Sequence, residues 1–368
     1  MKGTRREADH EDAEGAVLPG PATETVAVIA HGIFPPDKMQ PPRVRALLAE
    51  AALQRVDLCF VRSSECEPAT GTITAWRWGA EGWWASREPM APVAVIVSDP
   101  ETNEEARLDE WLRSSTQVLG AAKRDKQGVA SLLVGTVWER AIIPSEVLEP
   151  DRIESQLADW LSGGGIVVKP NDGMRGIGVQ FLIPDGCGQW EMVREDRRQV
   201  VTADEAIASV RRAIAGRMAY RSYVVQRYID TRDGSGRPGT VRSEVVRQPG
   251  GAWRVVRITG RISAPGKIVS TISRGASLMT AESYFLARGA VDLRERMQEV
   301  EAVSVDLAER LAASDTAHHY EWGFDFVLDP QGGLWFLEAN SRPLNFGGEL
   351  ERATYVVAYL KSLLARLP

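Results

Sequence analysis

Apolar positions along the chain repeat with two periods. "ETVAVIA" (24–30), "VDLCFV" (56–61) and "PVAVIV" (92–97) are short, β-branched-rich runs that predict strands. Between the first two, Val44, Leu47, Leu48 and Ala51 fall at helical spacing, which makes this region an α/β unit. "TITAWRWGAEGWWAS" adds an aromatic hairpin turning between Gly79 and Gly82, its tryptophans read as a packing face. Further on, Ile153, Leu157, Trp160 and Leu161 share one helix face, and "SGGG" stops that helix. The strand "IVVKP", a Gly-rich turn and the strand "GVQFLI" come next, then a helix from Thr202 whose "TADE" forms a capping box through Glu205. "SYVVQRYID" predicts another strand. Beyond the turn-rich "TRDGSGRPG", three strands are expected, "TVRSEVVR", "AWRVVRITGRIS" and "GFDFVLD", with a long helix near 288–312 before the last. An amphipathic helix over 349–367 ends the chain.

Composition narrows the class. With 368 residues and 44% hydrophobic content the chain can bury a sizeable core. A formal charge of −6 gives no general surface for nucleic acid or anionic membrane, leaving small charged molecules as partners. No run reaches the roughly 18 apolar residues of a membrane span, and residues 1–20 lack the apolar core of a signal peptide. That acidic leader is expected to be disordered. Cys59, Cys66 and Cys187, odd in number and without a CxxC pair, read as free thiols in a cytoplasmic protein. Seven of the 44 basic residues are lysines, so a lysine that is present can mark a need for a compact point charge.

Two stretches carry candidate chemistry. In "WFLEAN", Glu338 and Asn340 share one strand face, with Trp335, Leu337 and Ala339 expected on the core side; Asp325 in "GFDFVLD" can face the pair from a neighbouring strand. The set suits a hard cation such as Mg²⁺ better than zinc, and equally suits a hairpin with its acids in solvent. "IVVKPNDGMRGIGV" ends a strand in Lys169, expected to be an exposed strand-end ammonium, and then offers Gly173, Gly176 and Gly178. Such glycines either close over phosphates or make a plain turn. His318 and His319 read as a loop pair at a helix end.

The order of these features resembles the ATP-grasp superfamily, and more closely the YheC/YheD-like family described as endospore coat-associated. The resemblance covers most of the chain after the leader and rests mainly on 166–178 and 322–343. It implies an α/β ATP-grasp fold: an N-terminal α/β domain over 21–115, a lid subdomain and linker over 116–230, and a C-terminal subdomain with the metal site over 231–368. It makes Lys169, with Lys126, a nucleotide-phosphate ligand, and 173–178, including Gly173, Arg175, Gly176 and Gly178, a mobile lid. Gln226, Arg227, Tyr228 and Ile229 become an adenine hinge acting largely through backbone groups. Asp325, Glu338 and Asn340 hold Mg²⁺ against ATP. Arg242, Arg261 and Arg274 match family arginines that stabilise the transferring phosphoryl and the tetrahedral intermediate; each also fits a solvated strand face. Met174, Thr240, Thr271 and Ala276 depart from the family pattern. The implied activity is ATP-dependent joining of a small-molecule or peptide carboxylate to an amine through an acyl phosphate. A nucleotide-binding assembly protein and a phosphotransferase are the alternatives.

Overall fold

In a computed structural model of the chain the described residues are 24–120, 126–171, 173, 176–195, 197–270, 272–314, 318–343 and 347–367, the side chains of Lys126 and Ser273 excepted. The acidic leader and Arg175 lie outside them. The first sheet comprises β1 (Thr25–Ala30), β2 (Asp57–Arg62), β3 (Cys66–Glu67), β4 (Thr72–Gly79), β5 (Gly82–Pro89), β6 (Val93–Ile96) and β7 (Gln117–Leu119). Its order is β3-β4-β2-β1-β6-β7, with β5 added to β4 and parallel pairing of β1 with β2 and β6. Helices α1 (Pro35–Lys38), α2 (Pro41–Gln54) and α3 (Asn103–Ser115) belong to this unit. A proline opens α2, where an N–H is dispensable, and Arg55 ends it in the left-handed region at φ 58°.

After the short α4 (Lys126–Ala130), a second sheet forms from β8 (Ser145–Val147), β9 (Ile166–Pro170), β10 (Gln180–Pro184), β11 (Trp190–Arg194), β12 (Arg197–Val201) and β13 (Tyr223–Arg227). The order is β12-β11-β10-β9-β13-β8, antiparallel throughout. Helices α5 (Ile153–Ser162) and α6 (Ala203–Ile214) bring Leu157, Leu161, Val210 and Ile214 against Ile166, Val168 and Leu182. Thr202 and Glu205 form the expected capping box of α6.

The third sheet has the order β16-β15-β14-β17-β18, from β14 (Gly239–Arg247), β15 (Trp253–Ile262), β16 (Ser277–Thr280), β17 (Glu321–Leu328) and β18 (Leu334–Asn340). One face packs Phe324, Phe326 and Phe336 against Val303, Leu307 and Leu311 of α8 (Leu293–Ala313), with Phe285 from α7 (Ala281–Leu286). The last helix, α9 (Glu349–Leu364), turns back to the first sheet, and its Val356, Val357, Leu360 and Leu363 share a core with Val26, Val28, Leu58 and Val95.

A buried ion cluster lies where α2, α9 and β17 meet. Arg43 Nε donates to both Glu349 oxygens at 3.1 Å, its Nη2 donates to the Pro343 carbonyl at 2.5 Å, and Arg352 Nε donates to Glu321. Burial alone would raise the Glu321 carboxyl, but the Arg352 and Arg43 guanidiniums outweigh it and hold it below the ordinary value. The stability it contributes is therefore fully present above about pH 4.3, the free glutamate value, and is lost as pH falls through the depressed folded value. Urea unfolding from neutral pH downward is expected to show this loss in the wild type. Glu321→Gln, which leaves Arg352 buried without its counter-charge, is expected to be about 3–5 kcal/mol less stable at neutral pH and to lose less on acidification. Identical acid dependence in the two proteins would rule Glu321 out as the titrating group.

Candidate active site

A cavity of about 1030 Å³ opens between the second and third sheets and reaches the first. On one side it is lined by Lys169, Gly173 and Gly176 around the β9–β10 loop and by Gln226, Arg227, Tyr228 and Ile229 at the end of β13. On the other it meets Arg242, Arg261, Asp325, Glu338 and Asn340.

Strand register explains why that second group converges. Arg242 pairs with Asp325, Asp325 with Glu338 and Gly323 with Asn340, and directly opposed residues of antiparallel strands project to the same face. Arg242 donates to Asp325 from Nε at 2.7 Å and again from Nη2, a bidentate pair, while Arg261 Nη1 lies 3.8 Å from Asp325 Oδ1. Burial would lower the Arg242 guanidinium, but Asp325 outweighs it; for Arg261 burial prevails, and its value falls below normal. Gly323 has a steric reason. A Cβ there would lie 2.7 Å from Pro343 Cβ, so the glycine lets the loop after β18 pass over β17.

The alternation expected for β18 is corrected. The register shifts between Asp325 and Phe326, where Leu337 is the extra residue of a bulge. Phe336 and Leu334 consequently join the α8 core with Phe326 and Leu328, while Leu337 lines the cavity. Trp335 turns away from the core, its indole donating to Asp329 Oδ2 at 2.8 Å. Without the bulge, Glu338 would share the face of Phe336 and enter the apolar core.

Lys169 is not the exposed strand-end lysine expected. It is 6% exposed, and its ammonium donates to Gln226 Oε1 at 2.6 Å across the β9–β13 pair. At the expected hinge, the Arg227 and Tyr228 amides already donate to the Pro144 and Gly165 carbonyls, both at 2.9 Å, so neither N–H remains for a ligand. The Arg227 guanidinium stacks on Trp160 and donates to its carbonyl at 3.0 Å. Gly176 and Gly178 have φ of +67° and +74°, where a side chain would be strained. Arg274 does not line the cavity; its Nη2 reaches the Gly176 carbonyl at 3.5 Å. Lys126 opens α4, and its side chain lies outside the described residues. His319, expected in a loop, stacks on Trp322 with ring centroids 4.4 Å apart.

Among the described residues no three His, Cys, Asp or Glu side chains group into a cage. Two carboxylates at paired register and one amide nevertheless suit Mg²⁺, which completes its shell with phosphate oxygens and water. Arg242 occupies one lone pair on each Asp325 oxygen, and the second on Oδ2 meets only a long contact from Asn340. Asn340 Nδ2 lies 3.4 Å from Asp325 Oδ2, and rotating this amide would present its oxygen instead. The residues fit the ion.

Solved structures sharing this architecture include D-cycloserine synthetase DcsG (16% identical, covering 91% of this chain and 99% of that chain, TM-score 0.53). D-alanyl-alanine synthetase A from Vibrio cholerae O1 biovar eltor str. N16961 (13%, 93% and 98%, 0.56) and the ATP-grasp ligase PsnB (15%, 93% and 99%, 0.50) are similar as well. At such identities the likeness is one of fold, and that fold is ATP-grasp. A family model for YheC/D-like ATP-grasp proteins matches residues 117–361, and the chain belongs to that family. Endospore coat-associated protein YheD of Bacillus subtilis (strain 168) is 27% identical over 304 residues, 77% of this chain; the chain spans 64% of that relative's length.

Sequence reasoning passed over Glu244. It is opposed to Arg257 and Gly323 on the face that carries Arg242, is buried, and its Oε2 has no hydrogen-bond partner. Burial pushes its carboxyl up to about 7, against the pull of Arg242, Arg257 and Arg261 and with the help of Glu349. Between about pH 4.3 and 7 the folded state thus holds a proton that the unfolded state has released, so stability falls as pH rises through this window. Glu244→Gln is expected to raise the melting temperature relative to wild type more at about pH 8 than at about pH 5. An equal difference at both ends would contradict the raised value.

Proposed function

We propose that this chain is an ATP-dependent carboxylate–amine ligase. The observation that carries the reading is the single cavity in which Lys169 and the glycine loop face the Arg242–Asp325–Glu338–Asn340 surface. Lys169 and the loop amides bind the nucleotide phosphates, and the cavity walls from Gln226 to Ile229 bind its base. A bound Mg²⁺ at Asp325, Glu338 and Asn340 would neutralise phosphate charge. Arg242 and Arg261 orient the anionic carboxylate and reduce its repulsion from the γ-phosphate. A carboxylate oxygen attacks the γ-phosphorus and ADP leaves, giving an acyl phosphate. The amine nitrogen then attacks the acyl carbon, phosphate departs, and the nitrogen loses a proton. Arg274, held to the Gly176 carbonyl, ties this chemistry to the loop. Lys126 and Arg175 belong to the phosphate-binding group in this reading. No helix among the described residues is long and apolar enough to cross a membrane, and the free state of Cys59, Cys66 and Cys187 supports the cytoplasmic setting we propose.

A second reading is favoured by one observation, the coat-associated description of YheD. There the chain binds nucleotide as an assembly protein without turnover. ADP release across pools of carboxylates and amines, with mass spectrometry of products, separates the readings. ADP with a condensed product supports the ligase, ADP with a phosphorylated alcohol a phosphotransferase, and binding without ADP the assembly protein.

Lys169→Met, which keeps the buried stem and removes the charge, is expected to weaken ATP binding by roughly 10–100-fold in calorimetry, the equivalent of losing one hydrogen bond to a charged group. Unchanged affinity would remove Lys169 from the phosphate site. Glu338→Gln preserves size and is expected to abolish ADP formation at limiting Mg²⁺. Turnover equal to wild type would place the metal elsewhere.

A further inference from the structure

The aromatic hairpin of β4 and β5 takes no part in the cavity, since none of residues 72–89 lines it, and its outer edge is unfinished. A two-residue turn closes the hairpin on the opposed pair Gly79–Gly82, so Gly82, Trp84, Ser86 and Glu88 exchange hydrogen bonds with β4. The N–H and C=O groups of Trp83, Ala85 and Arg87 therefore point away from the sheet. Strand β5 pairs with β4 alone, and among the described residues no backbone hydrogen bond engages these three residues from outside. Over its eight residues the edge has no bulge, and proline blocks it only at the last position, Pro89.

The side chains on this edge are held in place yet open to solvent. Trp83 packs edge-on against Phe34, Phe60 and Trp78, with ring centroids 5.2, 5.4 and 5.2 Å away. Trp84, on the other face, is 47% exposed. Two opposite charges flank the tryptophans. Arg87 engages Glu67 through one nitrogen and remains largely exposed, whereas the exposed Glu81 of the turn has no ion pair or hydrogen bond among the described residues.

An antiparallel strand can pair with its own copy about a two-fold axis, and the side chains then decide the register. With Trp83 opposite Ala85 of the second copy, Arg87 falls opposite that copy's Glu81, and symmetry repeats the ion pair. Trp84 then meets its own copy at the axis, where directly opposed residues come closest, and Ser86 faces Gly82, which has no side chain to obstruct it. Sliding by two residues so that Ala85 faces itself would set Glu81 against Pro89 and leave both charges unmatched. We infer that β5 is the edge through which two copies of this chain associate, joining their first sheets in the Arg87–Glu81 register. The cavity takes no part in the contact, so the inference is independent of the ligase reading.

Analytical ultracentrifugation of the full chain tests it. A dimer is expected to form at about 10–100 µM, the range of a small interface built on one strand pair. Ala85→Pro removes an outward N–H that the fold does not use and is expected to leave a monomer that melts as wild type does; Trp84→Lys, which sets like charges at the axis, serves if proline prevents folding. Glu81→Arg alone is expected to weaken dimerisation at least about tenfold, and combining it with Arg87→Glu to restore most of that loss. A chain monomeric up to about 500 µM overturns the proposal. So does a dimer that survives both Ala85→Pro and Trp84→Lys, or one whose charge reversals do not compensate each other.

Discussion

Strand β17 is buried along its whole length yet carries two carboxylates on one face, and neutralising them organises what surrounds it. Glu321 and Asp325 are four residues apart and project the same way, with Gly323 between them. Unpaired, either charge would be expensive to bury. Glu321 recruits Arg352 from α9 and Arg43 from α2, which seats the last helix and the first sheet against the third. Asp325 recruits Arg242 from the adjacent β14 and Arg261 from β15 beyond it, and becomes the centre of the candidate site. The bare Gly323 leaves room for Pro343, whose carbonyl accepts from Arg43, so the loop that follows Asn340 is fixed by the same cluster that seats α9.

This arrangement explains which features could be read in advance. β1, β2 and β6 are buried on both faces, so their apolar runs stand out, and α2 and α5 show a clear stripe because each covers a sheet. The Gly and acid spacing of the final hairpin could be read because close backbone approach and a shared strand face leave marks in residue type. β12 could not: "RRQVV" is an edge strand, four of its five residues exposed, and burial had no need to impose an alternation there. β16, similarly exposed at the edge of the third sheet, was missed for the same reason.

Other features depend on distant partners. The bulge at Leu337 comes from the pairing with β17 and has no glycine to announce it. Lys169 is buried because β13 lies alongside β9, a pairing that joins residues more than fifty positions apart. Arg43 and Arg352 could not be distinguished among so many arginines, since what sets them apart is the Glu321 and Glu349 they meet. Glu244 was lost in the same way. Its raised carboxyl reflects its burial once the third sheet has assembled, a property of the folded molecule.

Arginine suits the buried positions 242 and 261 of the third sheet. A guanidinium stays charged when desolvated and engages a carboxylate through two parallel bonds, so Arg242 can hold Asp325 in place before anything binds. Lys169 sits in a different setting, beside an amide oxygen and a glycine loop. In the ligase reading proposed above, its point charge would turn from Gln226 toward a bound phosphate by rotating about its own stem. The two walls of the cavity therefore divide the labour, one preorganised by buried ion pairs and the other adjustable, a combination suited to gripping a flexible polyanion against a rigid acidic face.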